Sequence, residues 1–268
     1  GGWPRARSTT ISFERKTTMT EQTAHAAAQE RLIVPDATAF RAMPDEYQEL
    51  VIHQLRAHTE GELTGADDYI QIFYPLAPNA YERKVCCERA AEEMDHYIRG
   101  KLVLDEIGID TAYMLQQHID QREFYRTEGV RRIENWLGRG MFSFIGEAAV
   151  LAQIHEMSKS SYKPIADMCT SVIIDEHNHV AQGYRIVWEI CQTEEGLADA
   201  QKMLEKAWPI TLDLFGSSES KRSPLYVKWG LRQYTNEDAR ARFIKQITPR
   251  VEVLGLKVPE DAANRKFL

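Results

Sequence analysis

The sequence predicts an all-α protein, a helical bundle with further helices added at its C-terminal end. Three observations point there. Apolar residues recur at steps of three and four from Pro44 onward. No alternating run reaches strand length, and no solenoid-period repeat or low-complexity tract breaks the pattern. Four of the long segments also carry a carboxylate on the stripe that should face inward.

The elements follow in order. Pro44 opens the first helix, whose inward face reads Tyr47, Val51, Leu55, His58, Glu62, Ala66 and Tyr69. A second helix runs from about Asn79 to Ile107, where Gly108 stops it. A shorter stretch, roughly Ala112 to Trp136, is interrupted by polar residues and Gly129. Two long helices come next, about Phe142 to Ser160 and then Pro164 to Cys191, with Pro164 suited to a first-turn position. From Glu194 the chain reads as further helices broken at Pro209, Gly216 and Pro224. Residues 1–18 carry Arg5, Arg7, Arg15 and Lys16 against Glu14 alone, with no apolar periodicity. They are expected to be a leader or flexible arm, with Met19 a natural start and residues 19–268 a single domain.

Composition narrows the function. The 268 residues carry a formal net charge of −7 and offer no basic stripe for phosphate neutralisation, which argues against nucleic acid. No apolar run approaches the roughly 20 residues a spanning helix needs, so no membrane segment is expected. Cys86, Cys87, Cys169 and Cys191 lie in helical segments without zinc or disulfide spacing. All four are expected to be reduced and buried, which fits a cytoplasmic protein.

The acids on the inward stripes carry the chemistry. Glu62 lies on the first helix between Leu55 and Tyr69, and Glu147 lies between Phe144 and Leu151. Glu93 and His96 form one Glu-x-x-His, and Glu176 and His179 form another, on a stripe with Met168, Val172, Gly183 and Val187. The lone Glu precedes its Glu-x-x-His by 31 residues in one half and by 29 in the other. Buried acids are costly unless something compensates their charge. A Glu from each of two helices and a Glu-x-x-His from each of two more is the ligand set of two-metal carboxylate bundles. Two iron ions need about four carboxylates and one imidazole each. Glu62, Glu93, His96, Glu147, Glu176 and His179 are therefore the expected ligands.

Neighbouring residues have smaller expected parts. Glu92 and Asp175 each precede a ligand Glu, where an acid can orient the other helix's histidine through its free ring nitrogen. His177 faces another side of its helix and reads as surface, while His155 reads as a core hydrogen-bonding residue. His53, His58 and His118 read as ordinary, and Tyr69, Tyr97 and Tyr184 as packing.

Longer stretches carry a resemblance. MPDEYQELVIHQLRAHTEGELTG (Met43 to Gly65), EEMDH around Glu93 and DEHNHVAQG (Asp175 to Gly183) resemble the oxygenase subunits of bacterial phenylacetyl-CoA epoxidases. So do SYKPIADM (Ser161 to Met168), LFG (Leu214 to Gly216) and the run from YTNEDARARF through PRVEVLGLKVPE (Tyr234 to Glu260). The resemblance implies a ferritin-like di-iron carboxylate fold and an oxygenase that activates O2 and epoxidises the ring of an aryl-CoA thioester. It maps the iron ligands onto the same six residues. It also implies two partners, a separate flavin and iron–sulfur reductase and a helical scaffold subunit; this chain has no motif for either redox cofactor. Three positions depart from that family's pattern: Glu147 stands for an aspartate, Arg89 for a lysine and Tyr69 for a glutamate. A CoA thioester would need basic partners, for which Arg83, Lys84, Arg89, Lys159 and Lys163 are the candidates. Two other functions share such a bundle, an iron-storage ferroxidase and a non-catalytic scaffold subunit. The helical mass after Glu194 weighs against the first, and the complete six-residue set against the second.

Overall fold

Helix starts are set by short polar caps. In this computed structural model, which describes residues 32–124, 130, 132–262, 265 and 266, Asp36 caps α1 (Ala37–Arg41) by accepting from the Thr38 and Ala39 amides. Pro44 precedes α2 (Asp45–Asp68), whose line continues through a π-helical segment, Tyr69–Phe73, into α3 (Tyr74–Leu76). Asn79 accepts from the Glu82 amide and starts α4 (Ala80–Glu106). A short α5 (Ala112–Gln116) and a 3₁₀ turn (Ile119–Gln121) follow. Asn135 then caps α6 (Trp136–Met141), which passes through a second π segment, Phe142–Gly146, into α7 (Glu147–Met157). The remaining helices are α8 (Lys163–Ile190), α9 (Glu194–Asp213), α10 (Ser223–Lys228) and α11 (Asn236–Val253). No β-strand occurs among the described residues, only a single bridge between Val34 and Tyr162. The protein is an all-α bundle with added C-terminal helices, as predicted.

Two helix pairs make the bundle. α2 packs along α4, α7 packs along α8, and the pairs meet where α4 faces α8. One apolar cluster includes Tyr47, Leu55, Leu104, Tyr162 and Val172. Another joins Phe144, Leu151 and Val187 to Trp208 of α9 and Phe243 of α11. Fully burying each such side chain is worth about 1.5–3 kcal/mol, so these clusters stabilise a bundle whose centre is polar. The C-terminal helices therefore complete the core of the second pair.

Several expectations need correction. Pro209 does not break a helix but lies inside α9, and Pro249 lies inside α11. The carbonyls they leave without a donor belong to Glu205 and Lys245, both exposed positions. Between Ala112 and Gln121 the described residues form only the short α5 and a 3₁₀ turn, and the helix leading into Phe142 starts six residues earlier, after its Asn135 cap. Cys86 and Cys169 are buried, but Cys87 is exposed and Cys191 half-buried; all four are free thiols. Adjacent helix positions point about 100° apart, so Cys86 and Cys87 could not both face inward. Residues 1–18, the boundary at Met19 and Gly129 lie outside the described residues.

Candidate metal centre

Each half of the bundle brings three of the six predicted residues inward. Glu62 on α2 and Glu93 and His96 on α4 are buried, as are Glu147 on α7 and Glu176 and His179 on α8. Their potential ligand atoms fall into two groups, each within 4.8 Å. One group is Glu62, Glu93, His96 and Glu176; the other is Glu93, Glu147 and His179. Glu93 is common to both.

The histidines are held from opposite sides. His96 Nδ1 lies 3.2 Å from Glu176 Oε1 and 3.3 Å from Glu62 Oε2, while its Nε2 faces Asp175 Oδ2 at 3.3 Å. His179 Nε2 donates to Glu92 Oε2 at 2.8 Å, and its Nδ1 lies 3.2 Å from Glu93 Oε1 without hydrogen-bond geometry. The orienting acid of each ring thus comes from the other Glu-x-x-His helix, Glu92 on α4 for His179 and Asp175 on α8 for His96. An ionised carboxylate can only accept, so it fixes the proton on Nε2 and turns Nδ1 toward the cluster.

The charges call for a cation. Burial pushes Glu93 up to about 7 and raises Glu176, the His96 bond opposing the latter. Burial also disfavours the charged form of His96, but Glu176 and Glu62 outweigh it and hold the ring up to about 11. Burial likewise opposes the charge on His179, and Glu92 and Glu93 hold it well above the usual histidine range. Two atoms of these six residues, Glu147 Oε2 and His179 Nδ1, are buried without a hydrogen-bond partner. Four carboxylates, two imidazoles and these orphaned atoms fit a pair of oxygen- and nitrogen-seeking divalent metals.

The surroundings are equally organised. Tyr69 opens the first π segment and donates its phenolic O–H to Glu147 Oε1 at 2.8 Å. Beside it, Arg139 is fully buried, its guanidinium 5.4 Å from the Tyr69 ring centre, 5.7 Å from Phe73 and 5.2 Å from Trp136. It donates to Gln182, which donates to Glu82, an acid also paired with Arg185. His58, read from the sequence as ordinary, has Nδ1 3.2 Å from Glu62 Oε1 and 9% of its side chain exposed. Its place on the Glu62 stripe, one turn earlier, was the available signal. Tyr184 packs edge-on against Phe144 at 5.2 Å, as expected of a core aromatic. His155 corrects an expectation: it is exposed, 3.4 Å from the exposed His177.

A cavity of about 830 Å³ leads to the cluster. Glu62, Glu93, Glu147 and Glu176 lie on its wall with Ile133, Phe142 and Ile210, and the exposed Arg132, Lys202 and Lys206 also line it. None of the five basic residues proposed for CoA phosphates lines this cavity. Lys84, Arg89 and Lys163 instead pair with Glu88, Glu92 and Asp167, and Arg83 lies over the Tyr74 ring. An acid three or four residues on attracts a helical lysine or arginine more readily than a distant anion.

An all-α bundle with a lone Glu and a Glu-x-x-His from each half converging at its centre is a ferritin-like carboxylate bundle. The profile of the family described as "Phenylacetic acid catabolic protein" matches residues 34–266, and the chain belongs to that family. It is 24% identical over 224 residues to one component of the 1,2-phenylacetyl-CoA epoxidase of Escherichia coli (strain K12), covering 81% of this chain and 71% of that protein.

Proposed function

We propose that the chain is the oxygenase subunit of a di-iron monooxygenase that epoxidises or hydroxylates the aromatic ring of an aryl-CoA thioester such as phenylacetyl-CoA. The observation that carries this reading is the convergence of Glu62, Glu93, His96, Glu147, Glu176 and His179 on one buried centre at the wall of a large cavity. The similarity to an epoxidase component supplies the reaction class. A cavity wide enough for an organic molecule is needed for ring oxidation and not for storing iron. As in that multi-subunit relative, partners are expected: a reductase that delivers electrons and a scaffold subunit. No described helix is long and apolar enough to cross a membrane.

Two irons would supply the binding and reductive activation of O2. The protein's own groups do the rest. Glu62, Glu93, Glu147 and Glu176 would hold the ions with Nδ1 of His96 and His179. With the metals bound, Glu92 and Asp175 would keep one proton on Nε2 of each ring and leave Nδ1 as the ligating atom. Tyr69 holds one oxygen of Glu147, and the other, Oε2, is buried without a hydrogen-bond partner. Phe142, Ile133 and Ile210 give the cavity apolar walls that favour an aromatic ring over water.

Metal loading tests the site without relying on turnover. Anaerobic addition of Fe(II) should raise the melting temperature, because binding to the folded state alone at about 100 times Kd stabilises by roughly 2.7 kcal/mol. At this chain length that amounts to about 5–10 °C. Mössbauer spectra should show two irons per chain that oxidise on O2 exposure, faster or with altered spectra when an aryl-CoA is present. No shift and no stoichiometric iron would refute the reading.

Glu92→Gln and Asp175→Asn should each weaken iron binding by about 10–100-fold, the usual cost of losing such an orienting carboxylate. Both acids are about one-third exposed, so folding should change little. Unaltered iron affinity in both variants would remove the orienting role.

A further inference from the structure

A second cavity, of about 240 Å³, shares His58, Val150 and Leu214 with the first and opens toward α10. Its polar wall carries two guanidiniums. Arg222 and Arg232 line it, and neither forms an ion pair with a described residue. Arg222 contacts His53 Nε2; Arg232 donates weakly to Asn236 at 3.4 Å and lies 5.0 Å from the Tyr226 ring centre. The buried Arg232 Nε has no partner.

Neighbouring neutral groups add further donors. Burial and the two arginines hold His53 down to about 4, so its ring is neutral. With Nε2 accepting from Arg222, the proton sits on Nδ1 and donates to the Tyr226 oxygen at 2.9 Å. That leaves the Tyr226 hydroxyl proton free to donate into the cavity. Gln54 is 3% exposed and lines the same space with neither amide atom bonded. Asp213, an acid on this wall, is engaged elsewhere: Oδ1 with Arg265 at 3.4 Å and Oδ2 with the Lys266 amide at 2.7 Å. Glu156, close enough to feel Arg232, spends Oε2 on the Gln233 and Tyr234 amides. Two guanidiniums without an ion pair, a phenol and an orphaned buried amide surround one small space, and the buried donors among them, Arg232 Nε and Gln54 Nε2, are costly to leave unmatched.

We infer that this side cavity is a binding site for a small oxyanion, a phosphate or a compact carboxylate, held by Arg222, Arg232, Tyr226 and Gln54. The bidentate fork of a guanidinium suits either group. The site stands apart from the oxygenase reading and needs no metal.

Calorimetric titration of the full chain with inorganic phosphate and, separately, with malonate tests it. At least one should bind saturably; which one does identifies the ligand as phosphate or carboxylate, and binding of both supports the shared chemistry. Arg232→Gln and Arg222→Gln should each weaken that binding roughly tenfold or more, as expected for a charged hydrogen bond. Lys228→Gln, whose lysine pairs with Glu46 on the surface, should leave it unchanged. Arg222 is exposed, so its variant should fold even if Arg232→Gln does not. Saturation by neither anion, or equal binding in the wild type and Arg222→Gln, would overturn the inference.

Discussion

His179→Ala is expected to lower iron content from two per chain to about one and to abolish O2-dependent turnover, while the bundle stays folded. The group containing His179 offers only three ligand residues, against four around His96. Its loss leaves Glu93 and Glu147, and Glu93 is shared with the other group. His96→Ala leaves three carboxylates on its side and should lose iron less completely, although turnover should fail there too. Folding should survive because burial already favours the protonated form of Glu93, so the carboxylates need not repel one another. Iron quantification with circular dichroism reads both effects. Two tightly held irons in His179→Ala would overturn the ligand assignment.

Gly183→Ala should be strongly destabilising for so small a substitution. Alanine in a helix normally stabilises by up to about 1 kcal/mol over glycine. Here a Cβ would lie 2.3 Å from the Phe144 amide nitrogen and 2.6 Å from the Ser143 carbonyl carbon, both backbone atoms. α8 and the second π segment would have to separate, an overpacking cost of about 3 kcal/mol or more. The melting temperature should drop by roughly 6–12 °C. Because Glu147 directly follows that segment and His179 lies one turn before Gly183, iron affinity should fall as well. A variant as stable as the wild type would mean that the helices part more readily than their contact suggests.

The bundle and the six inward residues were legible because they rest on periodicity, which sequence carries directly. Glu62, Glu93, Glu147 and Glu176 stood out as acids on apolar stripes, and the paired Glu-x-x-His spacing told which helices had to meet. Glu92 and Asp175 were legible for the same reason, since a residue beside a ligand points to a predictable neighbour. What was hidden depends on local departures from the 3.6-residue repeat. Nothing in YIQIF or FSFIG announces a π segment, and spacing alone puts neither Tyr69 on Glu147 nor Arg139 over Tyr69, Phe73 and Trp136. Pro209 misled because its effect depends on whether Glu205 can reach water. The basic residues suggested for CoA do not line the cavity, and three of them have an acid within one turn. Arg132, Lys202 and Lys206 reach the cavity only through a tertiary arrangement that spacing does not encode.

The crossed pairing of Glu92 with His179 and of Asp175 with His96 makes the two halves mutually dependent. Each half looks in sequence like a self-contained cassette of a lone Glu and a Glu-x-x-His. Neither is one, because the acid that sets each ring's tautomer is contributed by the opposite cassette. Grafting a single half onto another scaffold would transfer three metal-facing side chains and leave the imidazole free to spin. A designer who wished to alter residue 92 would have to judge it by its effect on α8, and residue 175 by its effect on α4. The unit that can be transplanted is the interlocked pair.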